Sequence, residues 1–178
     1  MTERRCNGCT LCCKLVPVAQ LMKPAGKPCA FQRFGKGCTL HGSASYPSSC
    51  SLWACVWLQE PDAALPRPDH AHYVIDTFRD FIELEHADGR ERIDVVQVWV
   101  DPKYPHAHRD PALRAYLAMR GERFNQAALL RYDEVSAVAL FPPSMTSNGE
   151  WLEQRGGCVG PQHTPSEIHR KGAAPVRG

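Results

Sequence analysis

The sequence contains no apolar run of the roughly 18 to 20 residues that a membrane-spanning helix needs. Its opening residues lead directly into cysteines instead of an apolar signal segment. The chain also has no glycine-rich phosphate loop, no H-E-x-x-H pair and no G-x-S-x-G turn. We therefore predict a cytoplasmic protein without membrane contacts, and we find no support for a nucleotide-dependent enzyme or a conventional hydrolase.

Acidic residues are nearly missing from the first third of the chain, where the cysteines are concentrated. Residues 1–55 carry seven Lys or Arg and a single acidic residue, Glu3, and they contain eight of the nine cysteines. Disulfides seldom persist in a reducing cytosol, so this density of cysteine indicates metal or redox chemistry. Two four-thiolate sites on divalent ions would together carry a charge of about −4, which the basic excess would offset.

The first four cysteines form a C-x2-C-x2-C-C pattern on one short piece of backbone, from Cys6 to Cys13. Gly8 can adopt the positive φ that such cysteine knuckles often need. Because Cys12 and Cys13 are adjacent, their side chains cannot easily point at one tetrahedral ion, which favours two sites or a polynuclear one. The spacing is compatible with structural zinc and with an iron–sulfur cluster.

The run CNGCTLCC, followed by PCAF, GCTLH and YPSSCSLWAC, resembles the YkgJ-type cysteine-cluster family, also called the CxxCxxCC family, a zinc- or iron-chelating domain. The resemblance covers roughly residues 6–58 and differs in Tyr46-Pro47 and Cys50-Ser51, where the family commonly has Arg-Pro and Cys-Arg. It implies little about activity. It does imply a set of eight metal ligands: Cys6, Cys9, Cys12, Cys13, Cys29, Cys38, Cys50 and Cys55.

The composition predicts four parts along the chain. Residues 1–58 form a cysteine-rich metal-binding module, irregular and stabilised by metal because it lacks sustained apolar periodicity. Residues 59–69 form a proline-rich connector, 70–155 a small α+β domain, and 156–178 a flexible tail. Large side chains of the module are expected to pack against the domain, namely Phe31, Phe34, Trp53, Trp57 and Leu58.

The first part of the α+β domain has the pattern of strands. Residues 72–78 and 81–85 are strand-like, Asp88-Gly89 offers a two-residue turn, and residues 92–100 are strongly β-branched. We therefore predict a β-hairpin with Trp99 in the core.

A helix and a second β-hairpin follow. Asp110-Pro111 is a typical helix start, and Gly121 supplies a stop. Residues 124–131 and 134–141 resemble a second hairpin. The predicted fold class is α+β, with the cysteine module packed on two β-hairpins and one helix, and with Leu113, Tyr116 and Leu117 in the core.

The leading functional hypothesis is a cytosolic protein that chelates zinc or iron, with an iron–sulfur cluster as one form of the site. Zinc in a four-thiolate site would be structural because no coordination position stays open. Metal ions are the expected partners, and no catalytic residue is assigned. The ninth cysteine, Cys158, is interpreted as incidental. His41 is left out of the ligand set, and the pairs His70/His72 and His106/His108 are expected to face solvent.

Two alternatives remain. An iron–sulfur-dependent redox enzyme would take its substrate pocket from the second half of the chain. A zinc-stabilised nucleic-acid-binding module would stack bases on Phe31 and Phe34 and contact phosphates through basic side chains. Those side chains are Arg4, Arg5, Lys14, Lys23, Lys27, Arg33 and Lys36.

Overall fold

A computed structural model describes residues 4–6, 8–87, 89–155 and 158–159. The cysteine-rich part contains only short elements, as its lack of apolar periodicity leads one to expect. They are α1 (Leu11–Leu15), a 3₁₀ turn (Ala19–Leu21), β1 (Gln32–Arg33), β2 (Gly37–Cys38), α2 (Ser48–Leu52) and α3 (Val56–Gln59). No helix in the described ranges has the length and apolar character needed to cross a bilayer.

The rest of the chain builds a mixed seven-stranded sheet, which confirms the α+β class. A short helix, α4 (Pro68–Ala71), leads into it. The strands are β3 (Tyr73–Ile75), β4 (Asp80–His86), β5 (Gly89–Val100), β6 (Ala127–Arg131), β7 (Ala137–Phe141), β8 (Leu152–Gln154) and β9 (Cys158–Val159). Their order is β8-β7-β6-β5-β4-β9, and β3 also pairs with β5.

Both predicted hairpins are present within this sheet. In the first, β4 and β5 pair antiparallel, with His86 opposite Gly89. In the second, β6 and β7 pair antiparallel, with Arg131 opposite Ala137. The prediction did not include the parallel pairing of β5 with β6, which joins the two hairpins edge to edge. Parallel neighbours need a crossover connection, and the helix between these strands supplies it.

That helix is α5 (Pro111–Phe124). Its predicted start is confirmed, because the Asp110 carboxylate accepts a hydrogen bond from the backbone N–H of Leu113 at 3.0 Å. The predicted stop at Gly121 is wrong, since the helix ends three residues later at Phe124 and is followed by the left-handed C-cap Asn125. Gly121 serves close packing instead: a Cβ there would lie 2.5 Å from Cγ of Pro142.

Strand β5 separates the two layers of the core. Side chains alternate between the faces of a strand, so Val96, Val98 and Val100 pack on one side, where Leu113 and Leu117 of α5 meet them. Trp99 points to the opposite side and contacts the cysteine-rich part of the chain. The predicted core positions in β5 and α5 are therefore confirmed.

The cysteine-rich part docks on that opposite face of the sheet. Leu15 and Val16 pack with Val74 and Trp99 in a second apolar cluster. Trp53, Trp57 and Leu58 line it as predicted. Phe34 does not, because 90% of its surface is exposed, and Phe31 also lies at the surface. The predicted packing is therefore wrong for Phe34, which lies in the turn between β1 and β2.

The remaining segments fall partly outside the described residues. In the predicted connector, Leu65 is buried in the main core against β3 and β5, so this segment contributes to packing. Most of the predicted flexible tail, 156–157 and 160–178, lies outside the described ranges. Within it, the backbone of β9 pairs with Glu83 and Leu84 of β4.

Candidate functional site

One cavity of about 660 Å³ collects all eight cysteines of the predicted ligand set. None of the eight forms a disulfide. They come from six separate pieces of chain: the N-terminal segment before α1, α1, the loop before β1, β2, α2 and the start of α3. Trp53, Trp57 and Val74 complete the wall. The fold therefore brings together side chains up to 49 positions apart in sequence.

The first cysteines form a tight knuckle. The backbone N–H of Cys9 donates to the carbonyl of Cys6 at 3.0 Å, and Gly8 between them has φ +75°. The expected positive φ at this glycine is thereby confirmed. A Cβ on Gly8 would lie 2.8 Å from the carbonyl oxygen of Gly35, so the turn between β1 and β2 presses directly on the knuckle.

Arg4 binds the N-terminal segment before α1 to the region of α3. Its guanidinium donates to the carbonyls of Trp57, Glu60 and Ala63 at 2.8, 3.2 and 2.7 Å. These carbonyls lie at and beyond the C-terminal end of α3, where helix carbonyls lack intrahelical donors. Cys55 caps the other end of the same helix. The contact therefore positions the N-terminal knuckle close to the start of α3.

A second set of backbone contacts holds four other cysteines. The N–H of Cys29 donates to the carbonyl of Cys13 at 3.0 Å. Gln32 follows Cys29 by three residues, and Cys38 lies opposite Gln32 in the β1–β2 ladder. The hydroxyl of Tyr46 donates to the carbonyl of Cys50 at 3.1 Å. Cys29 is thus tied directly to Cys13, Cys38 is linked to them through Gln32, and Tyr46 binds the backbone of α2 at Cys50.

Cys12 and Cys13 link the two groups from neighbouring positions on α1. The Cys12 thiol is hydrogen-bonded to both the Cys6 and the Cys13 sulfur. This hydrogen bond lowers the pKa of Cys6 to about 7 and also lowers the pKa of Cys13, because it stabilises their thiolates. The pKa of Cys12 itself rises well above its ordinary value for the same reason.

Burial has the opposite effect on the cysteines deeper in the wall. It raises the pKa of Cys50 and of Cys55 to about 11, and it raises the pKa of Cys9 as well. A thiolate is less stable away from water unless a positive charge is close. The cavity therefore needs cations near these sulfurs before all of them can ionise.

Lys23 places one such cation at the cavity. Its side chain is 7% exposed, and its ammonium donates to the carbonyls of Lys14, Val16 and Pro24 at 2.9, 2.7 and 3.0 Å. Burial lowers its pKa to about 8, while the nearby sulfurs of Cys29 and Cys13 oppose that shift. Sequence reasoning treated Lys23 as a surface charge, because nothing local marks a lysine that folds inward.

The carboxylate of Asp76 fastens the cysteine-rich part to the sheet. It accepts from the indole N–H of Trp53 at 2.8 Å, from that of Trp99 at 3.1 Å and from the backbone N–H of Phe78 at 3.0 Å. Burial raises the pKa of Asp76, and these hydrogen bonds oppose the rise. Trp53 lines the cavity, so Asp76 supports the wall from behind.

The histidines only partly follow prediction. His41 lines the cavity and lies against Tyr46, with ring centroids 5.2 Å apart. Its spacing after Cys38 was the signal for this position. His108 was expected to face solvent, but it is 4% exposed, and its Nε2 lies 3.1 Å from Glu153 Oε1. That prediction is wrong because α5 and β8 enclose the ring. His72 stacks on Tyr104.

Part of the basic set proposed for phosphate contacts is engaged with other groups of the protein. Arg4 and Lys23 donate to backbone carbonyls, and Lys14 forms an ion pair with buried Asp101. Arg33 donates to the carbonyls of neighbouring Ala30 and Gln32. Three of the seven basic side chains therefore serve groups of the protein itself, whereas Arg5, Lys27, Arg33 and Lys36 are exposed.

The donor set is the one that zinc and iron sites use, since thiolates bind both metals. Among the side chains that the structure describes, no three from His, Cys, Asp or Glu already stand close enough to hold one ion. Comparisons with protein-family models, with curated proteins and with solved structures found no match to this chain. The site is therefore interpreted from its own chemistry.

Proposed function

We propose that this protein binds zinc or iron, the latter also as an iron–sulfur cluster, through the eight cysteines of the N-terminal cavity. The observation that carries the proposal is the convergence of eight unbridged thiols from six pieces of chain on one cavity. An intracellular chain has little use for so many adjacent thiols without metal or redox chemistry. The resemblance to the CxxCxxCC family points to the same donor set.

Charge around the cavity supports the proposal. The buried ammonium of Lys23 and the basic excess of residues 1–55 offset part of the negative charge that thiolate ligands bring. Metal ions would supply the rest. Binding would turn the thiols toward shared centres and release protons from those whose pKa burial now raises, Cys50 and Cys55 among them.

The test is elemental analysis of protein purified without oxygen. Zinc, iron and acid-labile sulfide are measured per chain beside the visible absorption spectrum. A Cys158→Ser variant is the matched control, because it removes one cysteine outside the proposed set. Bound zinc or iron, equal in wild type and control, supports the proposal. A metal-free protein with all thiols titratable overturns it.

The same measurement separates the forms of the site. Zinc without visible absorption indicates a structural scaffold, because four thiolates leave no position open for substrate. Iron with a matching amount of sulfide indicates a cluster, and the redox-enzyme alternative then becomes the next hypothesis to test. In that case electron transfer is measured by reducing the bound cluster with dithionite and following its visible spectrum.

A further inference from the structure

We infer that the eight cysteines divide into two four-thiol metal sites, an outer site of Cys6, Cys9, Cys12 and Cys55 and an inner site of Cys13, Cys29, Cys38 and Cys50. This inference rests on the proposed metal-binding function. Sequence spacing alone left open two sites or one polynuclear site. Backbone hydrogen bonds and apolar packing associate the cysteines with two different sets of elements, and Cys12 and Cys13 of α1 lie where the two sets meet.

The outer group is held together by the N-terminal segment before α1 and by α3. Cys6 and Cys9 belong to one turn, closed by the 3.0 Å hydrogen bond between their backbones. Cys9 and Cys55 are buried in the same apolar cluster, and Cys12 packs against that cluster. Arg4 explains this proximity, because it binds the carbonyls of α3 only two residues before Cys6.

The inner group is held together by different elements. The backbone hydrogen bond from the N–H of Cys29 to the carbonyl of Cys13 joins the loop before β1 to α1, and the β1–β2 ladder adds Cys38. Cys50, on α2, lines the same cavity, and the hydroxyl of Tyr46 donates to its backbone carbonyl at 3.1 Å. The side chain of Gln20 holds α2 in place, accepting from the backbone N–H and the hydroxyl of Ser49. Lys23 lies near Cys29, Cys13 and Cys50 of this group and also near Cys12, where the two groups meet.

Cys12 completes the outer group. Neighbouring residues of an α-helix point about 100° apart, so Cys12 and Cys13 face different directions from α1. The Cys12 thiol reaches the sulfur of Cys6, and Cys13 follows the backbone toward Cys29. The Cys12–Cys13 thiol contact is then the boundary between the sites. Each site receives four thiols, the number that a closed tetrahedral centre requires.

The test compares double variants that remove equal numbers of cysteines from the full-length protein. Cys9→Ser with Cys55→Ser removes two ligands from one group, whereas Cys9→Ser with Cys50→Ser removes one from each. Apoprotein is titrated with zinc alone, and tightly bound zinc per chain is counted after gel filtration. We expect two equivalents in wild type, one in the within-group variant, and none in the cross-group variant.

Equal losses in the two double variants would overturn the division and favour one shared polynuclear centre. A wild type that binds no zinc or iron at all would instead overturn the proposed function itself. Circular dichroism checks that each variant is folded, and Cys29→Ser with Cys50→Ser provides a reciprocal within-group pair.

Cadmium-113 NMR of loaded wild type tests the same division without any substitution. The β-protons of Cys6, Cys9 and Cys55 should couple to one cadmium resonance. Those of Cys13, Cys29 and Cys38 should couple to another. Coupling of both sets to a single resonance, or a mixed assignment, would contradict the inference.

Discussion

Replacing Asp76 by alanine should weaken the junction between the cysteine-rich part and the sheet. The change removes the acceptor of three hydrogen bonds, from the indoles of Trp53 and Trp99 and from the N–H of Phe78. Trp99 is only 1% exposed, so its indole cannot turn to water. A buried donor without a partner costs about 1–3 kcal/mol, whereas the partly exposed Trp53 can be solvated again.

We expect Asp76→Ala to lower the free energy of unfolding by about 2–3 kcal/mol. The substitution also removes a buried negative charge, whose burial is itself unfavourable. The loss of stability is therefore smaller than the sum of three charged hydrogen bonds. Urea denaturation followed by tryptophan fluorescence measures the change. Asp62→Ala, at an exposed position, is the matched control and should stay within about 0.5 kcal/mol of wild type. Equal stabilities of the two variants would refute the reasoning.

The pH dependence of stability tests the same role of Asp76. Burial raises the folded-state pKa of Asp76 above its ordinary value of 3.8, so the folded protein holds the proton more tightly than the unfolded chain. The contribution of this group is complete below the unfolded pKa and declines as pH rises toward the folded one. The stability advantage of wild type over Asp76→Asn should therefore shrink from about pH 4 upward, and a growing advantage would contradict the assignment.

Two pairs of glycine and alanine variants test the close contacts in the fold by urea denaturation. Gly8→Ala should cost more than about 2 kcal/mol because its Cβ meets a backbone carbonyl at 2.8 Å, whereas Gly42→Ala, at the same φ of +75° with open space around it, should cost only about 1–2 kcal/mol. Equal losses of stability in Gly8→Ala and Gly42→Ala would show that the strain of a positive φ explains both and that the contact with Gly35 adds nothing. Gly121→Ala should lose about 1–3 kcal/mol although helix propensity predicts a gain, and Ala115→Gly on the exposed face should lose about 1 kcal/mol. A more stable Gly121→Ala protein would mean that the proline ring moves aside.

Local patterns were sufficient for much of the sheet domain. The β-branched residues 92–100 and the turn before them predict the β4–β5 hairpin, and Asp110-Pro111 marks the start of α5. Gly121 misled the prediction of the helix end, because glycine there accommodates Pro142, a contact set by tertiary packing. The parallel pairing of β5 with β6 likewise depends on how α5 packs, and no residue within either strand encodes it.

The same distinction applies to the candidate site, where some features follow from the sequence and others only from the fold. The number and spacing of the cysteines in residues 6–55 identify the metal donors, because such a concentration of thiols indicates metal or redox chemistry. Their grouping depends on long-range contacts such as that of Arg4 with Trp57, which join segments more than 50 residues apart. Lys23 and Asp76 carry no local signal, since only the fold buries their charges beside the cavity.

Residue-resolved thiol protection tests the central claim most directly. Protein purified without oxygen is treated with iodoacetamide, and each cysteine-containing peptide is quantified by mass spectrometry before and after metal removal by a chelator. The account predicts that the eight cavity cysteines resist alkylation until the metal is removed, while Cys158, outside the proposed set, serves as the internal reference. Alkylation of the eight at the same rate with and without chelator would contradict the account.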